Sequence, residues 1–306
     1  GNSVQNGASD TYSSNTIVDG DAITVIATDL GCVSALSSAV NMTVNPIPSV
    51  TVSATPDTIC EGDQVIFSAT PVGYDNYEFF DNAASVQNGA SDTYSTTTLT
   101  AGNMITVIAT DLGCASPASN AVSVIVNPIP ATDAGPDVAI CTGTSTPLNA
   151  SGATTYSWSP AAGLNNPNIA NPNANPATTT TYTVTGTDVG GCSSTDDVTV
   201  TVNPSPTITT SGNTSVCQGQ STQISASGAV SYSWTPTISL DDPNISNPTS
   251  SPFVTTTYTV TGTDALGCSG SALITVTVNE LPAVSAGFDI FLCEGESDTL
   301  QGAGAG

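Results

Sequence analysis

The chain has 306 residues, with no Lys, Arg or His and 25 acidic side chains, giving a formal charge of -25. Nothing in it can neutralise phosphate, which excludes nucleic acid and anionic bilayer surfaces as partners, and nothing can serve as a His or Lys base. Yet only 8% of residues are charged and 38% are apolar, which is the composition of a folded acidic protein and not of a disordered tail.

One module of about 80 residues is written repeatedly along the chain. Cys60, Cys141, Cys217 and Cys293 recur at steps of 81, 76 and 76 residues, and Cys32, Cys114, Cys192 and Cys268 at 82, 78 and 76. Junctions follow Val44-Asn45-Pro46, Val126-Asn127-Pro128, Val202-Asn203-Pro204 and Val278-Asn279-Glu280. In chain order, residues 1–46 read as the C-terminal part of a repeat, because Ser3–Ser13 returns as Ser85–Ser95. Residues 47–128, 129–204 and 205–280 read as whole repeats, and 281–306 as the N-terminal part of another. The expectation is a window on a longer tandem array.

In 47–128 the middle strand is Tyr77-Glu78-Phe79-Phe80. In 129–204 its place is taken by Trp158, and in 205–280 by Trp234, each 17 residues after a Cys. The last whole module shows the pattern most clearly: Thr207–Thr210, Gln223–Ala226, Tyr232–Trp234, Thr257–Thr261 and Ile274–Val278 alternate apolar with small polar residues. A period of two predicts strands with one wet face, and the β-branched Thr and Val suit a pleated sheet. Clusters of Gly, Pro, Asn and Asp separate the runs. About seven short strands in so few residues point to an immunoglobulin-type sandwich. The fold class expected is therefore all-β: tandem immunoglobulin-like (PKD-like) antiparallel β-sandwiches arranged end to end. Trp158, Trp234, Tyr182 and Tyr258 are the expected core residues.

The phrases Asp133-Ala134-Gly135-Pro136-Asp137, Tyr156-Ser157-Trp158-Ser159-Pro160, Thr181–Asp188 and Gly191–Asp196 resemble the PKD-like and Ig-like repeats of very large surface adhesins of gliding bacteria, exported by the type IX secretion system. The resemblance spans essentially the whole chain. It departs from the usual PKD pattern after the Trp, where Ser159-Pro160 replaces an acidic Asp-Gly element. It implies a filament or stalk at the bacterial cell surface, and Asp57-Thr58-Ile59 and Asp298-Thr299-Leu300 are similar to a short O-glycosylation motif of such bacteria.

Eight regularly placed Cys without His predict disulfides in an oxidising, extracellular setting, since zinc sites use closer spacings or add His. Two connectivities fit the spacing. Closing each domain on itself joins Cys60 to Cys114, Cys141 to Cys192 and Cys217 to Cys268. In an up-and-down sandwich those partners lie near opposite ends, about 20 Å apart at 3.3 Å per residue, whereas a disulfide needs Cα atoms within about 7 Å. Crossing the junctions joins Cys60 to Cys192 and Cys141 to Cys268, leaving four cysteines for partners outside the window. Short Asn-Pro-x-Pro linkers favour the second arrangement.

Catalytic chemistry has little to work with. Asp196-Asp197 and Asp241-Asp242 are the carboxylate pairs that glycoside hydrolysis would need, but adjacent Asp in turn-rich sequence reads as solvated surface. No cofactor is expected; Asp133, Asp137, Asp57, Glu61 and Asp63 near the junctions are the candidates for calcium, without any recurring loop of liganding oxygens. Asp29, Asp111, Asp188 and Asp264 precede Gly in one recurring turn and suit local backbone hydrogen bonds. Leu164–Pro176 and Leu240–Pro252 are the insertions that a binding module would present. The sequence thus predicts a non-catalytic shaft that projects a distal binding region and transmits force, or alternatively glycan- or protein-binding modules. Expected partners are the neighbouring repeats, other filament copies or surface glycans, with no membrane insertion by this segment.

Overall fold

The computed structural model describes residues 4–287, 289–299, 302 and 304, and the described residues hold strands and no helix. The chain divides into two compact units, residues 1–129 with 188–192, and residues 130–187 with 193–306.

Within the first unit, residues 47–128 form a complete sandwich. One layer pairs Thr93–Thr96, Val65–Thr70 and Thr51–Thr55 in that order; the other pairs Cys114–Ala115, Ile105–Asp111, Asn76–Asp81 and Ala84–Gly89. Alternation aims Val65, Phe67, Tyr77, Phe79, Ile105 and Val107 into one dry core, while their neighbours along each strand face outward. The short strand Thr58–Cys60 leaves the first layer and lies parallel to Ile125–Asn127, with Cys60 opposite Asn127.

In the second unit the two Trp-bearing repeats share one plan. Val138–Cys141, Ser193–Asn203, Thr180–Thr187 and Thr155–Ser159 make a four-stranded sheet in that order, as do Thr214–Cys217, Ser269–Asn279, Thr256–Thr263 and Ser231–Thr235. The opposing layer is thin, built from Thr146–Pro147 with Asn173–Ala174 and from Thr222–Gln223 with Thr249–Ser250. Trp158 fills one core with Tyr182 and Val184; Trp234 fills the other with Tyr258 and Val260. Each indole N–H donates to a carbonyl of the insertion that follows, Trp158 to Ile169 at 3.0 Å and Trp234 to Ile245 at 2.9 Å, so the insertions are pinned to the cores by the same bond.

The run Gln223–Ala226 is not one strand. Thr222–Gln223 pairs with Thr249–Ser250, and Ala226–Ser227 pairs with Thr209–Thr210. The break lies where the Ser225 amide donates to the Ser211 hydroxyl at 3.2 Å instead of to a ladder partner. The first strand is similarly divided. Asp133 bridges to Ser151 in the thin layer, and five residues later Val138–Cys141 has crossed to the other sheet. Gly152 allows this close crossing: its φ is +86°, and a Cβ there would lie 1.8 Å from the Ala131 carbonyl oxygen, a contact no side chain can make.

Outward-facing rows of hydroxyls take the place of charge. Thr181 and Thr199 Oγ1 atoms are 3.0 Å apart, and Thr257 and Thr275 are 2.9 Å apart at the equivalent cross-strand position. Such pairs knit the wet face without an ion pair.

Candidate functional site

The recurrent feature is a junction built from three parts: a Cys ending a short parallel strand, the carbonyl of the Asn in Val-Asn, and a Cys in a Gly-Cys turn. In the first unit Cys60 stands opposite Asn127, and the Glu61 amide donates to the Asn127 carbonyl at 2.9 Å. Cys192 Sγ lies 3.8 Å from that same oxygen. The two cysteines are bonded, with S–S 1.99 Å and Cα atoms 5.6 Å apart. In the second unit Cys141 stands opposite Asn203, the Thr142 amide donates to Asn203 at 2.9 Å, Cys268 Sγ lies 4.0 Å from the same carbonyl, and Cys141 is bonded to Cys268 with Cα atoms 5.5 Å apart. Each bridge joins one sequence repeat to the next.

The within-domain pairings Cys60–Cys114, Cys141–Cys192 and Cys217–Cys268 do not form. Cys141 sits beside Asn203, at the far end of the 11-residue strand Ser193–Asn203 from Cys192. That strand spans about 35 Å at its usual rise, five times what a disulfide tolerates. Cys217 stands opposite Asn279 in the same relation to Cys268. Cys32, Cys114, Cys217 and Cys293 are free thiols.

The turns that carry the second Cys are shaped by their Asp. Asp188 accepts the Gly190 amide at 2.8 Å, and Asp264 accepts both Leu266 and Cys268 amides at 2.9 Å. Asn127 Nδ2 donates to the Gly190 carbonyl at 3.4 Å, and Asn45 Nδ2 to the Leu112 carbonyl at 3.0 Å. The Asn residues were legible only as punctuation before Pro; their carbonyls and amides are what seat the Cys turns.

The other acidic candidates serve the backbone, Asp63 at the junction strand itself. Asp133 accepts the Gly135 amide, Asp137 the Thr199 amide at 2.7 Å and Asp63 the Cys60 amide at 3.2 Å. Among the described residues no three His, Cys, Asp or Glu side chains gather as metal ligands. Asp196 accepts the Ala134 amide at 2.8 Å while Asp197 faces solvent. Thr58 is exposed on its strand, and of the second motif Leu300 lies outside the described residues. Trp158, Trp234, Tyr182 and Tyr258 are all in the cores. The Tyr182 hydroxyl donates to Ala162 at 2.9 Å, and burial pushes its pKa above the ordinary phenol value.

Asp241 anchors the Leu240–Pro252 insertion. Its Oδ1 accepts the Thr249 and Asp242 amides at 2.8 Å, and these two bonds, Thr249 first, hold its carboxyl below the ordinary range. Asn165 accepts the Asn173 amide at 2.8 Å in the preceding repeat, an uncharged version of the same tie. A depressed folded pKa stabilises above the unfolded value and is lost as pH falls through the folded one. Asp241→Asn is therefore expected to lower this insertion's hydrogen-exchange protection modestly at neutral pH, where the charged acceptor contributes, and to abolish its further weakening in acid. An unchanged acid dependence would contradict the assignment.

Residues 48–128 match the family of Ig-like domains described as CHU_C associated. No curated protein matches the chain. Among solved structures, three immunoglobulin domains of titin (I67–I69) align at 10% identity over 76% of this chain and 100% of that one, with a TM-score of 0.34. A Ca2+-stabilized adhesin with which an Antarctic bacterium binds ice aligns at 13% identity over 84% and 81% of the two chains, at 0.32. The N-terminal Ig domains of Down Syndrome Cell Adhesion Molecule align at 13% over 85% and 39%, at 0.31. At these identities and scores the neighbours carry no argument about ligand or activity. No described helix is long and apolar enough to cross a membrane. The chain is thus an all-β protein of tandem immunoglobulin-like sandwiches, one of which matches an Ig-like domain family over residues 48–128.

Proposed function

We propose that the chain is a non-catalytic shaft segment of an extracellular bacterial surface adhesin or filament, holding a distal binding region away from the cell and carrying load. The observation that supports this most is the pair of disulfides linking each whole repeat to the next, Cys60–Cys192 and Cys141–Cys268. Disulfides of this kind persist outside the cytoplasm, and a covalent tie between repeats has its use where repeats are pulled apart. The resemblance to surface adhesins of gliding bacteria supports export by type IX secretion and a role in movement or attachment. The identical pinning of both insertions by Trp158 and Trp234 favours structure over recognition, because independently tuned binding loops would diverge in how they attach.

The discriminating experiment presents the folded, oxidised 306-residue chain to a glycan array and to surface-protein pull-down. The shaft reading expects no saturable binding by these repeats. A specific, saturable ligand would overturn it in favour of binding modules.

A further inference from the structure

The turns that carry Cys192 and Cys268 are built alike. In Asp188–Cys192 the Asp188 amide donates to the Cys192 carbonyl at 3.0 Å, and the Asp188 carboxylate accepts the Gly190 amide at 2.8 Å. In Asp264–Cys268 the Asp264 amide donates to Cys268 at 2.9 Å, and its carboxylate accepts the Leu266 amide at 2.9 Å. Gly191 and Gly267 supply the left-handed φ, at +82° and +83°. Gly190 has no positive φ, and Leu266 shows that the turn accepts a side chain at this position. Backbone conformation therefore does not call for glycine at 190.

Space does. A Cβ on Gly190 would lie 2.7 Å from Cγ, 2.8 Å from Nδ2 and 3.0 Å from Cβ of Asn127. Asn127 lies across the turn, its Nδ2 donating to the Gly190 carbonyl at 3.4 Å. Rotating that amide aside would give up the bond, and the Asn127 Cβ, held by its own backbone, would still be too close for ordinary packing. The second junction is tied differently. There the Asn203 carbonyl accepts both the amide and the hydroxyl of Thr142, at 2.9 and 3.1 Å, where the first junction has Glu61, whose carboxylate cannot donate.

We propose that Gly190 and Asn127 are the specificity-determining pair of the first junction. Beside Cys60, the Asn127 side chain admits a turn that is bare at its third position and refuses one that carries a side chain there, as the Leu266 turn does. Cys60 is thereby matched to the Cys192 turn by shape, with the clash against the other kind as the discriminating element. The covalent step then follows: the Cys60 and Cys192 thiols are oxidised to a disulfide while a small disulfide such as glutathione disulfide is reduced to two thiols, which take up both protons. The match acts between neighbouring repeats and is independent of what the array carries.

The test equilibrates the full chain in buffers of increasing reduced-to-oxidised glutathione and maps each bridge by mass. Gly190→Leu is expected to open Cys60–Cys192 at an about tenfold lower ratio of squared reduced to oxidised glutathione. Cys141–Cys268 should keep its wild-type midpoint, which also reports that the chain has folded. Asn127→Gly clears the space, so the double variant is expected to open where Asn127→Gly alone does, a non-additive outcome that general destabilisation would not give. An unchanged midpoint for Gly190→Leu, losses that simply add in the double variant, or a shift of both bridges together would overturn the proposal.

Discussion

Under stretching force, the oxidised chain between Cys60 and Cys268 is expected to reach only about 180 Å, against about 730 Å after reduction, taking about 3.5 Å per extended residue. The reason is the overlap of the two bridges. Cys60–Cys192 spans 132 positions and Cys141–Cys268 spans 127, and because 141 precedes 192 the loops interpenetrate in sequence. They create two nodes, joined by three stretches of backbone of about 80, 50 and 75 residues, so the shortest stretch limits extension. That stretch is Cys141–Cys192, which contains Trp158 and Tyr182, so the central repeat bears the load first. Breaking either bridge alone leaves a path of about 80 residues and an extension near 270 Å. Single-molecule pulling on wild type, Cys192→Ser, Cys141→Ser and the double variant separates these values. A wild type that extends as far as the reduced chain would refute the overlapping connectivity.

Trp234→Ala is expected to destabilise its repeat by about 3–5 kcal/mol, the usual cost of removing a fully buried large side chain. Trp234 is 0% exposed, and the loss also strands the Ile245 carbonyl that its indole N–H satisfies. Trp234→Phe keeps most of the apolar volume but not the donor, and should cost less; its difference from wild type reads mainly the bond that ties down the Leu240–Pro252 insertion, and its difference from Trp234→Ala reads the buried volume. The chain has two Trp, so the variant leaves Trp158 as the sole indole and its fluorescence reports on the preceding repeat alone. Denaturant unfolding followed at Trp158 should be unchanged to within about 0.5 kcal/mol, as expected for distant sites. A collapse of both repeats together would show that stability is shared across the junction.

Much of this architecture is legible in the residues. The alternation in Ile274–Val278 announces a half-buried strand, and Ile274 and Val276 are indeed buried. The Trp and Tyr cores follow from large aromatic residues at inward positions of such runs. The parallel strands ending at Cys60, Cys141 and Cys217 were not legible, because three or four residues pairing with a strand some 60 positions away leave no local period. For the same reason Gln223–Ala226 looks continuous although it serves two partners. An up-and-down sandwich puts Cys141 at the first turn, and there its carbonyl accepts the Thr144 amide at 3.0 Å; what the residues do not announce is that the first strand changes sheets and runs parallel to Ser193–Asn203. The Asn carbonyl that seats each junction is a backbone atom, and side-chain identity says nothing of it beyond the recurrence of Val-Asn.

The interlaced bridges also bear on damage. Between Cys60 and Cys268 the polypeptide is a closed circuit with three routes, so one severed peptide bond anywhere in it leaves the two flanks attached. A protease, or slow hydrolysis, would have to cut at least three times, once in each route, before the two flanks came apart.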